Sequence, residues 1–239
     1  MNWKFPIEYY KDLRPHNLTS EKYRHVFLAL FWPIFGIFFW TAETLWPRIW
    51  HAVTGEPLVY QEVVSTLDAY IPFCEWFVIP YYFWFAFLVG MGFYSFLYDI
   101  RTFRHFSWFV ILTYTVTIVI YFIWPNMQGL RPVAFERDNW MIEIVRRLYD
   151  FDTNTNVCPS IHVLGSLAAG FAGLHSRSFR GWGWKVFFVL SMILISLSTV
   201  FLKQHSILDV IWALVLSAVC YPLVFFVICR DRSQKEHAV

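Results

Sequence analysis

The stretch Ile207-Leu208-Asp209-Val210-Ile211-Trp212-Ala213-Leu214-Val215-Leu216-Ser217-Ala218-Val219-Cys220-Tyr221-Pro222-Leu223-Val224-Phe225-Phe226-Val227-Ile228-Cys229 carries a single charge, at Asp209. A helix needs about 20 mostly apolar residues to cross a bilayer. This run meets that length, and its one acidic residue sits at its edge, where an ionisable group reads as functional. Five further apolar runs precede it, at 26–46, 76–97, 106–124, 161–175 and 184–202. The whole chain of 239 residues is 58% hydrophobic and 15% charged, with a mean hydropathy of +0.47, which is too apolar for a soluble domain. The expected fold is therefore all-α, a six-span transmembrane helical bundle with interfacial helices on its extracytoplasmic side. Residues 1–25 read as a cytoplasmic segment, 26–230 as the membrane domain and 231–239 as a disordered cytoplasmic tail.

Loop charge sets the orientation. With the N-terminus inside, thirteen of the nineteen Lys and Arg residues fall on inner segments, so both termini are expected to be cytoplasmic. No secretory leader is read ahead of the first span, and a plasma-membrane location is expected. The net charge of +2 and the lack of a dense basic run argue against nucleic-acid binding. The fourth run holds Gly165, Ser166, Ala168, Ala169, Gly170, Ala172 and Gly173, small residues that let helix backbones approach, so it is expected at the centre of the bundle.

Two outer loops are long. The loop 47–75 is expected to hold a short interfacial helix near 61–66. The loop 125–158 interleaves Trp140, Met141, Ile142, Ile144, Val145, Leu148 and Tyr149 with Glu143, Arg146 and Arg147, the pattern of an amphipathic helix that reads either as a lid or as plain loop packing. The segment 150–156 weakly resembles a calcium loop but lacks its glycine and final glutamate, so turn and capping chemistry explains it better. Cys74 and Cys158 both fall near the outer face, which leaves a disulfide between the two loops open, while Cys220 and Cys229 read as packing residues.

The outer ends of the spans carry the chemistry. His205 and Asp209 are four residues apart, which puts both on one helical face. The carboxylate can then fix the imidazole tautomer, as in a catalytic triad, or the pair can simply staple the last helix. Ser160 and His162 follow Pro159 at a helix start, where free backbone N–H groups bind anions; a capping serine beside an interfacial histidine is the other reading. Arg131 in the third-to-fourth loop and Lys203 beside His205 supply cations suited to phosphate, or to lipid headgroups. Taken together they point to phosphate-ester chemistry at one membrane face.

These segments resemble the phosphatidic acid phosphatase type 2 superfamily of membrane phosphatases. Pro159-Ser160-Ile161-His162 is similar to the family's Pro-Ser-Gly-His motif, with Ile161 in place of glycine. Ser198, Thr199, His205 and Asp209 keep the spacing of its last motif, with Thr199 where arginine is usual. Arg131-Pro132 fit the first motif, with Trp124 where lysine is usual. Lys203-Gln204-His205 is similar to a branch related to inositol phosphorylceramide synthases. The resemblance spans roughly residues 70–230.

It implies a metal-independent lipid phosphatase without a cofactor, acting on phosphatidic acid or a polyprenyl diphosphate drawn from the bilayer. His205 would be the nucleophile, Asp209 its orienting partner and His162 the general acid and base. Arg131, Ser160, Lys203, Ser198 and Thr199 would hold phosphate. Transfer of a phosphoryl-bearing headgroup to an alcohol such as inositol is the enzymatic alternative. A non-catalytic binding protein of the same fold is the third reading.

Overall fold

The computed structural model describes residues 7–229; the first six residues and the expected tail 231–239 lie outside the described residues. The fold is almost wholly helical, with helix at 71% and strand at 2%, as an all-α bundle requires. Among the described residues, five helices are long and apolar enough to cross a membrane, and a further apolar helix is shorter. In chain order the elements are α1 (Val26–Thr54), α2 (Val78–Tyr98), α3 (Ile100–Ile123), α4 (Trp140–Phe151), α5 (Ile161–His175), α6 (Trp182–Phe201) and α7 (Ile207–Pro222). A π-helical turn, Leu223–Ile228, prolongs α7.

The short helix α5 is the core of the bundle. Eleven of its fifteen residues are buried, and α2, α3, α6 and α7 all pack on it. Its glycines explain how. A Cβ at Gly173 would strike the Phe188 ring of α6, and one at Gly170 would strike the Met192 side chain. The absence of side chains there lets α6 approach α5 at contact distance.

Two expectations for the first outer loop are corrected. Residues 47–54 are helical, because α1 continues through Pro47 to end at Gly55, whose φ of 75° is left-handed. The π-helical turn Thr41–Leu45 shifts the hydrogen-bond register just before Pro47, so the proline stands at the start of a new α segment, where its missing N–H is tolerated. Residues 61–65 do not form a helix. Gln61–Glu62 (β1) pairs in parallel with Asn126–Met127 (β2), the ladder continuing through Val63 N–H to the Met127 carbonyl at 2.8 Å. The β-branched run Val59, Val63 and Val64 suits extended chain. A 3-10 helix, Thr66–Tyr70, follows, started by a capping box between Ser65 and Asp68.

The amphipathic helix of the second outer loop is present as α4. Asn139 caps it by accepting from the N–H groups of Met141 and Ile142, and Met141, Ile142, Val145 and Leu148 are its buried stripe. All four cysteines are free thiols, so Cys74 and Cys158 are not bridged.

Candidate active site

The end of α3, the start of α5, the end of α6 and the start of α7 meet at one end of the bundle, where long-range hydrogen bonds tie their connections together. Asn126 is fully buried and clamps the approach to α5. Its Oδ1 accepts from Val157 and Cys158 N–H at 2.9 and 2.8 Å, and its Nδ2 donates to the Cys158 carbonyl. Hydroxyls of α3 fix the first residues of α5: Tyr121 donates to the Pro159 carbonyl at 2.9 Å and Tyr114 to that of Ile161 at 3.0 Å. Ser160 N–H donates to the Asp209 carbonyl, joining α5 to α7 directly.

At the start of α7 a capping box sets the imidazole. The Ser206 hydroxyl accepts from Leu208 N–H, and the Asp209 carboxylate accepts from Ser206 N–H at 3.0 Å. The same Asp209 Oδ2 accepts from His205 Nδ1 at 3.0 Å. Asp209 is fully buried and His205 is 6% exposed. With its proton on Nδ1, His205 keeps its lone pair on Nε2.

His162, in the first turn of α5, is packed between two rings of α2, with centroids 4.5 Å from Tyr81 and 4.4 Å from Trp84. Its ring lies 5.8 Å from that of His205. Among the described residues here, the buried His162 Nδ1 and Trp84 Nε1 have no protein hydrogen-bond partner. Buried polar groups normally pair, so these are positions a polar substrate can take up.

The cations are placed differently from a simple phosphate clamp. The Arg131 guanidinium stacks on the Tyr149 ring and donates to the carbonyls of Tyr149, Asp152 and Thr153 and to Gln204 Oε1 at 2.5 Å. Lys203, whose φ is 53°, donates through Nζ to the carbonyls of Asp68 and Ile71. Burial pulls both cations below their usual values, with nearby carboxylates opposing the shift. Their hydrogen-bond partners are neutral carbonyl oxygens, and the nearest carboxylates are Asp152 for Arg131 and Asp68 for Lys203.

Other expected site residues make bonds within their own helices. Ser160 is the N-cap of α5, its hydroxyl 3.5 Å from Val163 N–H. The hydroxyls of Ser198 and Thr199 turn back onto their own helix, donating to the Ile195 and Ser196 carbonyls. Thr199 contributes through its carbonyl, which accepts from His205 N–H at 3.0 Å. The segment 150–156 is tied by long-range bonds: the Thr153, Thr155 and Asn156 side chains all donate to the carboxylate of Glu43 in α1.

Sequence reasoning missed four supports. Gln128 donates to the carbonyls of Lys203 and Gln204; Asp152 accepts from Tyr81 and from Gln204; Asp68 holds the start of α7; Asn126 is the clamp described above. The one signal for them was the placing of polar, hydrogen-bonding residues in outer loops that flank apolar runs. Cys158 borders Asp209, and burial followed by that carboxylate pushes its thiol up, which keeps it protonated.

No family model, curated protein or solved structure matches the chain.

Proposed function

We propose that this membrane protein is a lipid phosphatase that works through a phosphohistidine on His205. The observation that carries the reading is the pair of imidazoles from α5 and α7, 5.8 Å apart, one of them locked by a buried carboxylate. His205 Nε2 attacks phosphorus, forming the P–N bond as the P–O bond to the lipid alcohol breaks. His162 gives its proton to the departing oxygen. It then takes a proton from water, which attacks phosphorus and releases phosphate and free His205. Asp209 stabilises the positive imidazole of the intermediate. The N-terminus of α5, with Ser160, and the field of Arg131 and Lys203 stabilise the negative phosphoryl oxygens. Phosphatidic acid or a polyprenyl diphosphate entering sideways from the bilayer is the substrate class this reading takes from the resemblance.

The burial of both imidazoles favours one second reading. A site shut off from bulk water protects an intermediate against hydrolysis, so an alcohol such as inositol can be the acceptor.

The test is acid–base trapping with phosphatidic acid labelled at its phosphate and purified protein in detergent. Wild type should yield a base-stable, acid-labile phosphoprotein, and His205→Ala none. Phosphate release at the wild-type rate from His205→Ala would overturn the proposal. Free phosphate against labelled phospho-alcohol, with the alcohol present, separates hydrolysis from transfer. A folded wild type that does neither and traps nothing is a binding protein.

A further inference from the structure

At the other end of the bundle from His205 lies a second polar cleft, of about 590 Å³, between the start of α1, the start of α3 and the end of the π-helical turn after α7. Arg104 and Tyr121 both lie on α3, 17 residues apart, so roughly 25 Å of helix separates this cleft from the imidazoles. A substrate at His205 cannot occupy it.

Its lining has two halves. The polar half carries Lys22, Arg24 and Arg104 with the Glu21 carboxylate in the lining, and Asp12 lies close enough to Lys22 to act on its charge. Glu21 lies 4.0 Å from Arg24, in the open. Lys22 lies over the rings of Tyr9 and Tyr23, with Nζ 5.0 and 4.8 Å from the centroids. Aromatic faces position a cation without cancelling its charge. His25 completes this wall and is locked in place, one ring nitrogen against the Tyr10 hydroxyl at 2.8 Å and the other against the Lys22 carbonyl at 3.1 Å. Burial, with Arg104 adding to it, lowers the His25 pKa, as expected where positive charge already collects. The other half is apolar, with Leu28, Trp108 and Ile228 continuing from the cations onto the helices that would meet the bilayer.

We infer that this cleft is a binding site for the phosphate headgroup of an anionic phospholipid, with Lys22, Arg24 and Arg104 on the phosphate and the acyl chains along Leu28, Trp108 and Ile228. Charge complementarity and the change from cationic to apolar lining within one cleft select that occupant over a soluble anion. A soluble anion has no use for the apolar half, and a zwitterionic headgroup brings its own cation to a wall already positive. Basic clefts between membrane helices suit such headgroups on general grounds. The site is independent of the chemistry at His205.

Native mass spectrometry of the purified, delipidated protein, titrated with phosphatidylglycerol or phosphatidylcholine, tests this. Wild type should retain one phosphatidylglycerol and release phosphatidylcholine. The variant carrying Arg24→Gln and Arg104→Gln should bind phosphatidylglycerol at least about tenfold more weakly. Arg146→Gln with Arg147→Gln, on exposed positions of α4, should leave binding unchanged. Lys22→Gln alone should weaken it to a lesser degree, which provides a reading should the double variant fold poorly. Equal retention of the two lipids, wild-type binding by the double variant, or displacement by soluble glycerol phosphate at equal concentration would each overturn the inference.

Discussion

The carboxylate of Asp68 accepts a hydrogen bond from the Ser206 hydroxyl at 2.6 Å, across a sequence separation of 138 residues. The same group accepts from Ile207 N–H and Ser65 N–H, both at 2.8 Å. One buried carboxylate thus caps two helices, the 3-10 helix of the first outer loop and α7, which orients His205. Asp68→Ala would strand the Ser206 hydroxyl and the Ile207 N–H in a buried place. It should cost on the order of 3 kcal/mol of stability, read as a lowered midpoint of thermal unfolding in detergent. Asp68→Asn keeps one acceptor oxygen and should cost less. The Lys203 contact uses the backbone carbonyl of Asp68 and survives both changes.

Asp209 has two duties that end on one oxygen. Its Oδ2 accepts from Ser206 N–H as part of the α7 cap and from His205 Nδ1 as orienting partner. Asp209→Asn with its amide oxygen in that place keeps both hydrogen bonds but loses the negative charge that would stabilise the positive imidazole of the intermediate. Phosphate release should fall on the order of 10³–10⁴-fold with little loss of stability. Cys158→Ser, beside the same carboxylate, should leave most activity, because the protonated thiol takes no part. Phosphate-release assays beside thermal unfolding check both.

The parts of this molecule that could be read from its sequence are those set by short-range pattern. The run 161–175 matches α5 at both ends, because Ser160 and Ser176 bound it as caps. The spacing of His205 and Asp209 holds because one helical turn fixes it. Boundaries failed where charge or proline misled. The third span begins at Ile100 instead of 106, because Asp99 caps it by accepting from Thr102, so Arg101 and Arg104 are helical. The roles of Asn126, Gln128 and Asp152 were not legible, since each depends on partners 32 to 76 residues away. The partners of the cations were not legible for a related reason: loop carbonyls, which every residue has and no pattern marks, accept from Arg131 and Lys203.

The glycines of α5 allow a graded test of packing. A Cβ at Gly173 overlaps three atoms of the Phe188 ring, which is buried and cannot swing away. A Cβ at Gly170 meets the flexible end of Met192. Gly173→Ala should therefore destabilise by about 1–3 kcal/mol and Gly170→Ala by less. At Gly165 the added carbon would lie 2.6 Å from the Tyr114 hydroxyl and 2.9 Å from Trp84 Nε1. Because Trp84 packs on His162, Gly165→Ala should lower activity as well as stability. Equal unfolding midpoints for the three variants would show that α6 does not depend on this contact.

His25 gives the bundle a pH dependence whose sign can be worked out. Burial, then the Arg104 charge, holds its pKa below the ordinary 6.5, while the Lys22 carbonyl partly opposes the shift. The unfolded chain therefore binds the proton at a higher pH than the folded protein does. Above about 6.5 neither state is protonated there, and His25 makes stability no function of pH. As pH falls from 6.5 towards the lowered folded value, the unfolded state gains protons first and stability declines. Below the folded value the penalty is constant. His25→Gln removes that titration and should flatten the fall in unfolding midpoint as pH drops below about 6.5, while the wild type keeps it. An anionic lipid in the neighbouring cleft offsets the Arg104 charge, so phosphatidylglycerol should also reduce the slope in wild type and leave the slope of His25→Gln as it is.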